Sequence, residues 1–266
     1  MTRFAGVACL ARIATAAALA ATALAASGAG IAPADRRSGY AMMAPETRRM
    51  QDDDAENPGM LWVLDGRPLW TARPAPDAAS CAECHGDAET SMKGVAARYP
   101  AFDDGAGHPV DLAQRINRCR VLRQRQAPWA GESRELLALE AYVALQSRGV
   151  PIAIDAGPRM QPYLRDGRAE FERRRGQLNL ACSQCHEDRW GLHLGGSVIP
   201  QAHPTAYPIY RLEWQSVGSL RRRLRGCMIA VRSEPYDAEA PQMIDLELYL
   251  AWRARGMTFE APGVRP

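Results

Sequence analysis

Cys81-Ala82-Glu83-Cys84-His85 and Cys182-Ser183-Gln184-Cys185-His186 share the pattern C-x-x-C-H, and that pattern decides the fold. Two thiols three positions apart lie on one side of a helical turn, where each can bond one vinyl group of a porphyrin. The histidine that follows aims its imidazole at the iron. A thioredoxin-like redox pair does not need that histidine, and a zinc site needs a second ligand pair at regular spacing, which the sequence lacks. The expected cofactors are therefore two covalently bound haem c groups, one on Cys81 and Cys84 and one on Cys182 and Cys185, with His85 and His186 as iron ligands.

Working outward from the motifs, the chain repeats. Asp65-Gly66-Arg67 and Asp166-Gly167-Arg168 each stand 16 positions before the first cysteine of a motif, and Trp70 and Phe171 each follow the Asp by five. Downstream, Leu112 to Cys119 matches Leu220 to Cys227, and Leu139-Glu140-Ala141-Tyr142 matches Leu246-Glu247-Leu248-Tyr249. Arg148-Gly149 and Arg255-Gly256 then stop an apolar periodic run, as glycine does just past a helix. One unit is thus present twice: a leading helix, a haem motif, a loop, a cysteine helix and a terminal amphipathic helix. The expected fold is mainly α, with two tandem duplicated cytochrome c-like helical domains at 59–150 and 160–266. The Pro151 and Gly157-Pro158 interruptions place a short linker between them.

The 266 residues suffice for two such domains. Residues 1–26 read as a signal peptide, with Arg3 and Arg12 ahead of an uncharged Ala-rich run and small residues behind it. The run is too short to span a bilayer. Cys9 precedes it, whereas a lipid anchor site would follow it, so no membrane anchor is expected and the mature protein belongs in the periplasm. Residues 27–58 lack periodicity and read as an extended N-terminal arm. A net charge of +3 is too small to suggest nucleic-acid binding. The run Arg221, Arg222, Arg223 and Arg225 reads by default as a solvated helix face. Arg223, however, stands four residues before Cys227 and so on its side of a helix, whereas Arg221 and Arg222 point elsewhere.

Each iron needs a sixth ligand, usually Met or His. Met92, His108 and Cys119 are candidates in the first copy, and Met228, Met243, Met257, His193, His203 and Cys227 in the second. Only Cys119 and Cys227 recur in register, which favours a thiolate. An inter-domain disulfide or simple burial of both cysteines stays open. A thiolate lowers the potential relative to Met, which suits a reactive haem better than an electron shuttle.

Further segments carry a resemblance: Tyr210-Arg211-Leu212-Glu213-Trp214-Gln215, Arg223-Leu224-Arg225-Gly226-Cys227-Met228 with Arg232, Glu234-Pro235-Tyr236, Leu246 to Arg253, and Pro262-Gly263-Val264-Arg265-Pro266. With them the chain resembles the SoxA family, the larger cytochrome subunits of the SoxAX complexes of bacterial sulfur oxidation, over nearly all of the mature sequence. The resemblance implies an L-cysteine S-thiosulfotransferase that joins thiosulfate to a cysteine of the carrier SoxYZ and passes two electrons to SoxX, a small single-haem cytochrome. It further implies that His85 and Cys119 ligate the first haem and that His186 and Cys227 ligate the second. Cys227, as a persulfide, and Arg223, which would hold thiosulfate, are the implied catalytic residues. The alternatives are a dihaem electron-transfer cytochrome without bond chemistry, and a thiosulfate dehydrogenase or dihaem peroxidase-like enzyme.

Overall fold

Two pairs of crossed helices frame the protein, and glycines set how closely they cross. Helix α1 (Pro45–Asp52) precedes α2 (Met60–Thr71), α3 (Cys81–His85), α4 (Ala88–Ser91), α5 (Leu112–Leu122) and α6 (Arg134–Leu145); the second copy is α7 (Gln161–Glu172), α8 (Cys182–His186), α9 (Leu220–Ala230) and α10 (Pro241–Arg253). A side chain on Gly66 would strike the Ala138 carbonyl where α2 meets α6, and one on Gly167 would strike the Asp245 carbonyl where α7 meets α10. The repeat seen in the sequence is therefore a repeat of helix crossings. Caps fix where the helices begin. In α5 the Asp111 carboxylate accepts the Gln114 N–H at 2.7 Å, and the Gln114 side chain accepts the Asp111 N–H at 3.1 Å. In α9 the Ser219 hydroxyl accepts the Arg222 N–H at 3.1 Å.

This computed structural model describes residues 30–266. The signal peptide read at residues 1–26 lies outside the described residues, as does Cys9. Residues 30–35 hold a single 3-10 turn, Pro33–Asp35, and residues 36–266 form a separate unit. Among the described residues no helix is long and apolar enough to cross a membrane.

Within 36–266 the copies do not keep separate cores. One apolar cluster joins Trp62, Leu137 and Ala141 of the first copy to Leu164, Leu248 and Ala251 of the second, while a smaller one around Phe171, Leu224, Leu246 and Tyr249 belongs to the second alone. The stretch read as a linker contributes to the shared core through Ile152, Ile154 and Met160, all buried. The Ile152 N–H donates to Met257 O at 2.9 Å, and its carbonyl accepts the Gly256 N–H at 2.8 Å.

Short strands complete the fold. β1 (Ala101–Asp103) pairs with β2 (His108–Val110), and β3 (His193–Leu194) with β4 (Ser197–Val198). β5 (Ile209–Arg211) is flanked by antiparallel β6 (Ser216–Gly218) and parallel β7 (Gly263–Arg265), with Tyr210 opposite both Val217 and Val264. The arm expected to be extended instead carries α1 and is tied down. Met43 and Asn57 are buried, the Asn57 amide donates to Pro262 O at 3.0 Å, and the Gln51 side chain accepts the Val264 N–H at 3.0 Å. Its polar composition hid a helix whose few apolar and amide groups are spent on the C-terminal strand.

Candidate functional site

Each haem motif occupies a single helical turn facing its own cysteine helix. Ser80 and Glu83 cap α3 reciprocally, the Ser80 N–H donating to the Glu83 carboxylate at 2.7 Å and the Glu83 N–H to the Ser80 hydroxyl at 3.1 Å. In α8 the Gln184 side chain accepts the Ala181 N–H at 2.9 Å. Burial pushes the Cys81 thiol up to about 11, and nearby Cys119 adds to the push. Burial also raises Cys182, with Arg175 opposing and Cys227 adding. Cys119 thus stands beside the first motif and Cys227 beside the second. All six described cysteines are free, so the structure contains no disulfide between the copies. The candidates from sequence accordingly gather into two sets, Cys81, Cys84, His85 and Cys119, and Cys182, Cys185, His186 and Cys227.

The donors fit haem c. In the second set Nδ1 of His186 lies 2.6 Å from the Pro200 carbonyl oxygen. Only a protonated Nδ1 bonds a carbonyl, so the lone pair of Nε2 is left for iron. Burial lowers the pKa of His186, the Pro200 bond opposes this, and Arg253 and Arg223 add to it; the neutral imidazole is the form that ligates. In the first set the Trp70 ring stands 5.8 Å from the His85 ring, and its indole N–H donates to Gly86 O at 3.0 Å, fixing the residue after the ligand. His203, one of the other candidate ligands, is held in the same way: its Nδ1 lies 3.0 Å from Arg37 O, and burial lowers its pKa to about 4.

Around Cys227 the arginine run divides by role. Arg221 is not on a solvated face. It is buried and pairs with Asp111 at 2.7 Å, Glu239 at 3.2 Å and Glu247 at 3.3 Å, drawing the N-cap of α5 against α9 and α10. Arg222 is exposed, 4.3 Å over the Trp214 ring. Arg225 donates to Tyr236 O. Arg223 is half-buried and, among the described residues, its guanidinium has no hydrogen-bond or ion-pair partner. It shares a helix face with Cys227.

Two features escaped the sequence reading. Tyr207 precedes Pro208 in a loop with no periodicity, yet its phenol lies within the fields of both Arg223 and Cys227. Burial pushes it up to about 12, Arg223 opposing and Cys227 adding, so it stays protonated and can donate. Glu140 and Glu247, matched positions of the repeat, are both withdrawn from water. Burial raises Glu140 well above its ordinary value and Glu247 to about 8, with Arg221 opposing. Tyr207, Arg223 and Arg221 also line a cleft of about 1310 Å³ between α5 and α9, with Val121, Leu122 and Ile229 exposed at its rim.

The chain is similar to known proteins in sequence and fold. The family model described as SoxA/TsdA, cytochrome c domain, matches residues 65–152 and 166–259. The L-cysteine S-thiosulfotransferase subunit SoxA of Pseudaminobacter salicylatoxidans is 36% identical over 229 residues, 86% of this chain and 80% of that protein. That of Rhodovulum sulfidophilum is 32% identical with the same coverage. The crystal structure of SoxXA from P. pantotrophus superposes with a TM-score of 0.83 at 30% identity, covering 87% of each chain. Each matched stretch contains one C-x-x-C-H turn and the cysteine helix that faces it, and on that footing the chain belongs to the SoxA/TsdA cytochrome c family, among its SoxA subunits.

Proposed function

We propose that this chain is the larger subunit of a periplasmic L-cysteine S-thiosulfotransferase, carrying two haem c groups and joining thiosulfate to a cysteine thiol of a SoxYZ-type carrier. The observation that carries the proposal is the free, half-buried guanidinium of Arg223 on the same face of α9 as Cys227. A half-buried cation without a protein counter-ion suits an anionic substrate, and the planar fork of arginine matches the oxygens of a sulfonate. Tyr207, kept protonated, supplies a neutral donor on the same side.

The coupling of a thiol with thiosulfate gives R–S–S–SO3⁻, one proton and two electrons. One sulfur–sulfur bond forms between two nucleophiles, so an oxidant is required. When bound, haem supplies one-electron acceptance next to the site. Arg223 orients the anion, Tyr207 donates to it, and the sulfur of Cys227, a persulfide on this reading, lies against it. His85 with Cys119, and His186 with Cys227, are the residues we assign to hold the first and the second haem iron. The apolar rim at Val121, Leu122 and Ile229 offers a face for a small monohaem cytochrome of the SoxX kind, which would take the electrons from beside Tyr207 and Arg223.

The test is thiosulfate-dependent reduction of an acceptor, measured with the small cytochrome and the carrier thiol present. Turnover should require the carrier and vanish in Cys227→Ala, with haem still held through Cys182 and Cys185. Wild-type turnover in that variant, or reduction independent of the carrier, would reject the transferase reading in favour of electron transfer or thiosulfate dehydrogenation.

A further inference from the structure

The bond from His186 to Pro200 is held from outside by one side chain. Arg253, at the end of α10, is buried at 6% exposure. Its Nη1 donates to the carbonyl of Gln201 at 3.1 Å, and its Nη2 stands 3.1 Å from a Glu187 carboxylate oxygen, an ion pair not aligned as a hydrogen bond. Glu187 directly follows His186, and Gln201 directly follows Pro200. The guanidinium therefore bridges the two backbone segments that meet in the 2.6 Å contact of His186 Nδ1 with Pro200 O. Its plane is supported by the Phe171 ring, 4.4 Å from Cζ, and that ring packs 5.6 Å from Tyr249 on the same α10. Gln201 is itself fully buried and accepts the Arg37 N–H at 2.6 Å.

The first copy lacks this device. Its matched position is Gln146, whose amide donates to Tyr142 O within its own helix at 2.9 Å. Trp70 holds Gly86 there, but among the described residues nothing accepts a hydrogen bond from His85. The two histidines thus differ in what stands behind them.

We propose that Arg253 is a positioning residue for the ligand of the second haem. By clamping residue 187 to residue 201 it keeps His186 bonded to Pro200, and so holds the imidazole in the one tautomer and the electron-rich state in which it ligates. Hydrogen bonds behind a ligating histidine fix its ring and raise its basicity. The clamp therefore makes the two haem sites unequal although their motifs are the same. The inference rests on the assignment of a haem to Cys182, Cys185 and His186, and is independent of what that haem oxidises.

The experiment is paramagnetic NMR of the oxidised two-haem protein, following exchange with deuterium of the Nδ1 proton of the axial histidine, with both haem potentials recorded. In Arg253→Lys the charge stays but one ammonium cannot span both partners. The His186 proton should then exchange about tenfold faster, as for a weakened hydrogen bond of ordinary strength. The second haem's potential should rise, while the first haem's potential holds. Glu187→Ala, at a more exposed site, releases one end of the clamp and should also speed exchange, by a smaller factor. Unchanged exchange in both variants would overturn the proposal, leaving Arg253 a buried charge and no more. Equal shifts of both potentials would overturn it too, as the mark of general loosening. A missing second haem would instead remove the proton signal from the wild type, which separates failure of the underlying assignment from failure of the clamp.

Discussion

Gly167 lies flat against Tyr249: a β-carbon on the glycine would come within 2.8 Å of the tyrosine Cβ. Gly66 and Tyr142 stand in the same relation in the first copy, again at 2.8 Å. The backbones of the paired helices nearly touch there, with no flexible side-chain end able to yield. Gly167→Ala should therefore force α7 from α10 and cost about 1–3 kcal/mol, the usual range for overpacking. Gly66→Ala should do likewise, and Gly226→Ala, where added atoms meet nothing within 4 Å, should not. Denaturant unfolding of the three variants checks this.

Arg223→Ala should weaken thiosulfate use about ten- to a hundredfold, since a hydrogen bond to a charged group contributes about 1.5–3 kcal/mol. Arg223→Lys should recover only part of the loss, because charge returns without the fork. Arg222→Ala is the matched control, as its guanidinium rests on Trp214. Steady-state rates over a thiosulfate series separate the three.

Arg221 cannot serve as a second control. Arg221→Met removes the one cation among Asp111, Glu239 and Glu247 and should destabilise by about 1–3 kcal/mol, as the buried Glu247 carboxyl loses its donor and Asp111 its counter-ion. Turnover per folded molecule should fall much less than stability. Thermal melting and activity measured on the same preparation test that split.

Stability should decline as pH rises from about 4.5 to about 8. Glu247 has an ordinary pKa of 4.5 and is pushed up to about 8 by burial. The folded state therefore holds its proton more tightly than the unfolded one. The stabilisation is complete below the unfolded value and is lost as pH climbs through the folded value. Glu140 is shifted the same way. Glu247→Gln should flatten the slope; urea midpoints at pH 5 and pH 8 give the answer, and an unchanged slope would remove Glu247 from the account.

Cys119→Met should raise the potential of the first haem and leave the second in place, because methionine donates less electron density than thiolate. Spectra of the wild type showing Met or His ligation at both irons would reject cysteine as the sixth ligand.

Much of this architecture was readable in the sequence because the chain states it twice. A glycine that must lie against a helix, an aromatic on the same face and a cysteine helix at fixed spacing are local signals, and their recurrence gave the helix order. The β5–β6–β7 sheet left no such trace: its strands are three residues long, and Ile209 finds Gly263 from far along the chain. The arm was misjudged because a short polar helix gains its order from Pro262 and Val264, not from its own periodicity. Arg221 was misjudged for a related reason. A run of arginines looks alike in sequence, and only tertiary neighbours decide that one is buried among carboxylates while the next lies on an indole. Glu140 and Glu247 were matched as positions of the repeat, but nothing local says that both carboxyls are withdrawn from water.

The apolar core shared by the two copies bears on how electron flow can be governed. Because Trp62 and Leu137 belong to the same cluster as Leu164 and Leu248, and the connecting segment is buried with them, a hinge between the two motif turns would have to open a shared core. With a haem on each motif, as proposed, the path between the two would be of nearly constant length, and electronic coupling along it would be a fixed quantity rather than a gate that opens and shuts. Control over direction and timing would then fall to the relative potentials of the two haems and to the arrival and departure of partners at the surface.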